Sequence, residues 1–461
     1  MKNNTRKEKD VLGELEIPDD VYWSINTQRA IENFQISGKS FPQSFIHSLA
    51  LVKKSCLLTN LELKLIDQQL GKTILEVLDD IILENKYLDQ FPLDIFQSGS
   101  GTQTNMNMNE VVANVANERL GFRKGEKKPA HPNDHVNMSQ SSNDVIPTTM
   151  HLSTIHTLQK DLLPAIKNFI LNLSLKIDEF KDIVKVSRTH LQDAVPIPLS
   201  LEFEVYKKQL EIAEVRINGA FEELFYIPLG GTAVGTGINA PTNFSKRVVE
   251  NLSKITGYAF KSNPILAEGI SSHNTIVKVS GILRNLALSL MNMGNDIRWM
   301  GSGPRAGLGE LVLPENEPGS SIMPGKINPT QAEMLIQVCI QVIGNDSIIA
   351  MAEGYGNVMD LNVAKPIMII SLLESIELLT NAINSFGENC LLGLKPNKER
   401  IEQLLNQNLM IVTNLSKIVG YDKASEIANE AHKTGKTIKE VVKKMGLEID
   451  VDKDLNPKKM V

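Results

Sequence analysis

Two stretches of this chain, Ser44 to Asn85 and Met150 to Val186, repeat apolar residues at intervals of three and four, and no alternating run is long enough to suggest a sheet. That period commits the chain to long helices. In the second stretch Leu152, Ile155, Leu158, Leu162, Leu163, Ile166, Phe169 and Ile170 fall largely on one helical face, and Pro164 marks a helix start or a kink. Further helical tracts run from Leu201 to Phe225, from Asn274 to Met300 and from Gln331 to Gly354, so the expected fold class is mainly α, built around a central bundle of long helices. A chain of 461 residues exceeds one ordinary core. Three segments are expected: 1–136, a central helical bundle 137–394, and a small C-terminal domain 395–461. Lys395-Pro-Asn-Lys398 reads as a hinge, and Gly420-Tyr-Asp422 as a turn into a short helix.

With 42% hydrophobic and 22% charged residues, the chain can bury a large interior without staples. Cys56, Cys339 and Cys390 are far apart and lack the paired spacings that hold zinc or iron-sulfur clusters, which points to buried thiols in a reducing compartment. A net charge of −6 offers no general attraction to nucleic acid or to an anionic membrane. An anionic substrate must therefore meet local donors. The opening run MKNNTRKEKDVLGE matches neither a secretory signal nor a transit peptide, and apolar stretches such as Ile367 to Leu373 fall short of a membrane span. The expectation is a cytoplasmic protein without membrane or nucleic-acid partners.

Glycine, proline, serine and asparagine gather in five clusters between the helical tracts. These are Gln97-Ser-Gly-Ser-Gly-Thr-Gln-Thr-Asn105; His131-Pro-Asn-Asp134 running on to Ser139-Gln-Ser-Ser-Asn-Asp144; Ser187-Arg-Thr-His-Leu-Gln-Asp193; Gly230-Gly-Thr-Ala-Val-Gly-Thr-Gly237; and Gly319-Ser-Ser-Ile-Met-Pro-Gly-Lys-Ile-Asn328. Loops held by a rigid scaffold are where function concentrates. The clusters supply hydroxyls and carboxamides, with His190 in the third and Lys326 in the fifth, a set suited to a small carboxylate.

Each cluster also has a plainer reading. The fifth is either a mobile loop that closes over a ligand or an ordinary helix connection with Asn328 as a cap. His190 is either an acid-base group, with Glu333 raising its basicity, or a hydrogen-bonded structural histidine. His131 and His135 are spaced as metal ligands on a helix, but Pro132 weakens that premise and no third ligand follows; no metal is expected. Arg123, Lys124, Lys127 and Lys128 form a solvated basic group or an anion attractor. The fourth cluster lacks the ending and spacing of nucleotide-binding loops, so its glycines serve close backbone approach.

The run GSSIMPGKINP resembles the signature loop of the fumarase and aspartase superfamily, and the other clusters fit in order from Glu8-Lys-Asp10 and Thr27-Gln-Arg29 to Gly420-Tyr-Asp-Lys423. GSGTQTNMN, HPNDHVN, SQSSND and PGKINPTQ resemble the class II fumarases within it, and RTHLQDA is compatible with them. Ser24-Ile-Asn26 departs from the Gly-Ala-Gln usual there. The resemblance implies a helical subunit whose central helices join those of three other copies in a twenty-helix core, with each active site built from three subunits. It implies reversible hydration of fumarate to malate without a cofactor, the alternative being an aspartate ammonia-lyase on the same scaffold. Carried over, Ser100, Thr102, Asn105, Ser141, Ser142, Asn143, Thr189, Lys326 and Asn328 hold the dicarboxylate, with Gly101, Ser321 and Ile327 alongside. Ser320 is then the base, and His190, oriented by Glu333, handles the leaving hydroxide, while Lys326 meets the growing charge. His131, Pro132, Asn133 and Asp134 match a second, non-catalytic dicarboxylate site.

Overall fold

The computed structural model describes residues 4–461; Met1–Asn3, where the leader reading and the first expected segment begin, lie outside the described residues. Helices dominate, as the period requires, and the strands are confined to two-stranded sheets. The tract expected over Ser44 to Asn85 is two helices, Gln43–Glu62 and Gln68–Glu84. The break has local causes. Lys64 takes a left-handed φ of 60°, and the Asp67 side chain caps the second helix by accepting from the Gln69 and Leu70 amides.

The tract from Met150 to Val186 also divides, into Ser142–Thr157, a π-helical turn Leu158–Leu162, and Leu163–Phe180. The turn lies immediately before Pro164, which has no N–H to continue an α-helical ladder. The end of the expected tract is instead strand Val184–Thr189, paired with Gln192–Pro198. The other tracts become Leu199–Leu224, Asn274–Met300, Thr330–Gly356 and Lys365–Phe386.

The chain forms two compact units. One comprises Met1–Leu162, Val215–Arg284 and Gln341–Leu378; the other comprises Leu163–Glu214, Asn285–Ile340 and Leu379–Val461. In the second unit, Lys395–Pro396 pairs with Leu311–Val312, so the stretch read as a hinge is tied into a small sheet. Gly420, at φ +82°, opens helix Tyr421–Thr434 as expected. Ile411, Leu415, Ile427, Val441, Val442 and Leu455 are among the residues of a hydrophobic core in this C-terminal part.

The expectation about membrane-length segments needs correction. Helices Thr330–Gly356 and Lys365–Leu391 are long and apolar enough to cross a membrane, each with a mean hydropathy of 1.5. The short uninterrupted runs concealed this because isolated polar residues punctuate both helices. Those residues are engaged in protein contacts: Asn345 donates to Glu374 and Ser375, and Asp346 accepts from Ser280 and Arg284. Such pairing is what the interior of a helical bundle provides.

Candidate active site

In the first unit, the first two clusters meet at the start of two helices. The N-terminus of Thr102–Arg119 follows Gly101, whose φ of +75° lets the chain turn into the helix, and the N-terminus of Ser142–Thr157 follows a capping box made by Ser141 and Asp144. Between them runs a row of hydroxyls. Ser98 Oγ lies 2.9 Å from Ser100 Oγ, Ser100 Oγ 2.7 Å from Thr102 Oγ1, and Thr102 Oγ1 2.8 Å from Ser142 Oγ. Hydroxyls beside two helix N-termini favour a negatively charged ligand, because the free amides and helix dipoles point the same way.

The row is firmly held. Asn143 donates to the Ala233 carbonyl at 2.8 Å, and buried Asp144 accepts from the Ser141 amide and from the Gly230 and Thr232 amides, all at 2.9 Å. Burial pushes the Asp144 carboxyl up to about 6, while those amides and Lys53 oppose the shift. The fourth cluster therefore serves as a clamp on the second. Its glycines permit this: a Cβ on Gly230 would lie 2.6 Å from the Ser245 Cα, and one on Gly235 would lie 2.3 Å from the Ala267 nitrogen. Asn105, 1% exposed, donates to Asn137 Oδ1, which also accepts from Asn109 and from buried Lys53. Burial brings the Lys53 ammonium down to about 7.

His131 caps a π-helical turn, Pro132–Val136, that contains His135, and each ring uses Nδ1 to accept from the backbone. The His131 ring takes the amides of Asn133 and Asp134, while the His135 ring takes that of His131. They serve the turn and are not displayed together as helix-face ligands.

In the second unit the fifth cluster closes on itself. The Gly319 amide donates to the Lys326 carbonyl at 2.8 Å, and Asn328 Nδ2 donates back to the Gly319 carbonyl at 2.6 Å. Asn328 thus fastens the loop, and the helix starts at Thr330. Inside the ring, Ser320 Oγ accepts from the Ile322 amide at 3.3 Å and the Met323 amide at 3.0 Å. Two amides aimed at one oxygen favour its alkoxide. Ser321, Lys326 and Ile327 are exposed on the same loop.

His190 and Leu191 form the tip of the hairpin between Thr189 and Gln192, both with φ of 58°. That left-handed geometry suits Asn-Gly and costs other residues roughly 1 kcal/mol each. Below the tip, Arg188 bonds Glu310 at 2.9 Å and Lys185 pairs with it at 3.3 Å. Glu310 is fully buried. Among the described residues, no hydrogen bond or ion pair links His190 with Glu333 in one chain, and both are exposed. Sequence reasoning missed Lys53, Asn137 and Glu310, whose partners lie up to 122 residues away in sequence. Ser98 and Asp144 stood inside clusters already noted, and the capping-box spacing from Ser141 was a usable signal for Asp144.

The profile of the lyase family matches residues 13–344, and that of the fumarase C C-terminus matches residues 411–461. The class II fumarate hydratase of Thermosynechococcus vestitus is 48% identical over 448 residues, covering 97% of this chain and 95% of its own. This chain belongs to the class II fumarate hydratase family. The Rickettsia conorii class II fumarate hydratase is likewise 48% identical, over 99% of both chains. A crystal structure of the Schistosoma mansoni class II fumarase superimposes with a TM-score of 0.96 at 35% identity, over 99% of both chains. The chain is thus a lyase of the hydro-lyase type, and its fold is the mainly helical one of that family.

Proposed function

We propose that this chain reversibly hydrates fumarate to malate, with the hydroxyl row holding one carboxylate of the substrate and Ser320 acting as the base. The row between two helix N-termini carries the reading. Ser100, Gly101, Thr102, Asn105, Ser141, Ser142, Asn143, Thr189, Ser321, Lys326, Ile327 and Asn328 form the substrate site, and His190, Ser320, Lys326 and Glu333 carry out the chemistry.

Taking a proton from the carbon beside a carboxylate leaves that carboxylate doubly negative, so donors prepared for the second charge lower the barrier. Lys326 and Asn328 are assigned to it. An unassisted serine is a poor base; the amides on Ser320 Oγ support its role by stabilising the alkoxide. His190 gives the departing hydroxide its proton and recovers one on the reverse path, with Glu333 orienting the imidazole.

The assembly in this reading is a homotetramer with each active site drawn from three subunits, in the cytoplasm. Uncovered apolar positions support association. On the helix Thr330–Gly356, Ile340 is 58%, Met351 57% and Tyr355 86% exposed, and along Leu199–Leu224 the residues Leu201, Val205, Ile212 and Val215 are exposed at helical spacing. The segments 1–136, 137–394 and 395–461 are kept as its organisation. His131, Pro132, Asn133 and Asp134 are assigned to a second dicarboxylate site outside the chemistry.

The test is direct: purified protein receives malate, aspartate or argininosuccinate, and the ultraviolet absorbance of the new conjugated double bond is followed. Absorbance should rise with malate. A rise with aspartate alone overturns the reading in favour of an ammonia-lyase.

A further inference from the structure

Gly99 stands in the first cluster, one residue before the hydroxyl row's Ser100, and its environment explains why it has no side chain. A Cβ there would fall 1.4 Å from the Val363 carbonyl oxygen, and the Lys365 amide donates to the Gly99 carbonyl at 3.0 Å. The loop that carries Ser98, Ser100 and Thr102 therefore lies directly on the turn Val363–Lys365, backbone against backbone. Whatever sets that turn also sets the hydroxyls.

The turn is fixed by a buried polar network. Asn362 Oδ1 accepts from the Ala364 amide at 2.7 Å, and its Nδ2 donates to Glu353 at 3.1 Å. Glu353 also accepts from Ser272 Oγ at 2.9 Å and from the His273 amide at 3.0 Å. Lys365 Nζ donates to the Asn362 carbonyl at 2.6 Å. Lys365 and Asn362 are 0% exposed, His273 2% and Glu353 9%. Burying a lysine is costly, and an apolar residue would fill the same space without that penalty. What an apolar residue cannot do is donate to the Asn362 carbonyl and so hold the turn from inside.

We infer that Lys365, backed by Glu353 and Asn362, is a positioning residue for the dicarboxylate site, acting through the Val363–Lys365 turn and Gly99 on the Ser98–Ser100–Thr102 row. The inference rests on the reading that this row binds a substrate carboxylate. Lys365 itself is assigned no contact with substrate. Its removal should displace the row and weaken every ligand that uses it, whether or not the ligand reacts.

The experiment compares Lys365→Met, Gly99→Ala and Thr102→Val with the parent enzyme. The readouts are KM and kcat for malate and fumarate, the inhibition constant of succinate, and the unfolding temperature. Misplacement of a binding group by a fraction of an ångström should raise KM and the succinate constant together by about tenfold in Lys365→Met, with kcat changed less than about threefold. A folded Lys365→Met with parental KM and succinate inhibition, or one that loses kcat alone, overturns the inference. Should Lys365→Met not fold, Gly99→Ala decides by the same readouts, because it pushes on the contact from the other side. Thr102→Val separates the two levels. Parental KM and succinate inhibition in that variant remove the reading itself, whereas a strong effect there beside a silent Lys365→Met removes only the role of Lys365.

Discussion

The hydroxyl row and the Ser320 loop are made from similar residues and differ in almost every physical respect. Ser100 is 8% exposed and Asn105 1%, and the row is braced by the buried carboxylate Asp144 and the buried amine Lys53. The Ser320 loop carries exposed Ser321 and Lys326 and is fastened mainly to itself, through Gly319, Lys326 and Asn328. The hairpin tip at His190 goes further and holds two non-glycine residues in left-handed backbone. Binding groups can be rigid, because the carboxylate they meet keeps its shape. Groups that move protons must admit substrate and then exclude water, which favours placing them on loops. The contrast predicts that damage to the two regions separates into loss of affinity and loss of turnover.

Ser320→Ala should break the contrast most severely, lowering kcat by roughly 10⁴-fold or more while succinate affinity and unfolding temperature stay near the parent's. Near-normal turnover in the absorbance assay would remove Ser320 from the mechanism. His190→Asn should cost about 10²–10⁴-fold in both directions. Because Asn tolerates left-handed backbone better than His, thermal unfolding of that variant should occur no lower than in the parent. Thr102→Val removes one hydroxyl from the row, leaving the Ser100 and Ser142 oxygens one partner short. Calorimetry should show a stability loss of about 1–2 kcal/mol, and steady-state assays a KM raised more than kcat is lowered.

The last effect concerns stability alone. Burial pushes the His151 imidazole down to about 4 from its ordinary 6.5. Between those values the unfolded chain binds more protons than the folded one, so this histidine's contribution is present above about 6.5 and is lost as pH falls through about 4. Asp144, raised by burial to about 6, works in the opposite sense over part of that window. Comparing the parent with His151→Gln cancels Asp144. The parent should lose up to ~3 kcal/mol more than the variant between pH 7 and pH 4, read from urea midpoints.

Helices were legible where the apolar period ran unbroken, and Asn274–Met300 matches its expected bounds. They were less so where one residue overrides the period, as at Lys64 and Asp67, or where a strand continues an apolar run, as at Val184. Hydroxyl and amide clusters announced the candidate site because side chains of that kind gather at helix starts and turns. Their supports did not. Lys53, Glu310, Glu353 and Lys365 look like ordinary charged residues on helices or loops; only the fold shows that the first three are buried against side chains or amides distant in sequence, and that Lys365 is buried in a turn whose backbone meets Gly99. Ser24-Ile-Asn26 is a milder case. Asn26 Nδ2 donates to buried Glu110, which also accepts from the Ser24 and Thr27 amides, so the unusual residue is absorbed into the helix start.

Division of labour between proton removal and hydroxide departure is tested most directly by deuterium uptake at the methylene carbon of malate, followed by nuclear magnetic resonance in heavy water. His190→Asn should still exchange that hydrogen while failing to release fumarate, and Ser320→Ala should do neither. Exchange that survives in Ser320→Ala and disappears in His190→Asn would contradict the assignment.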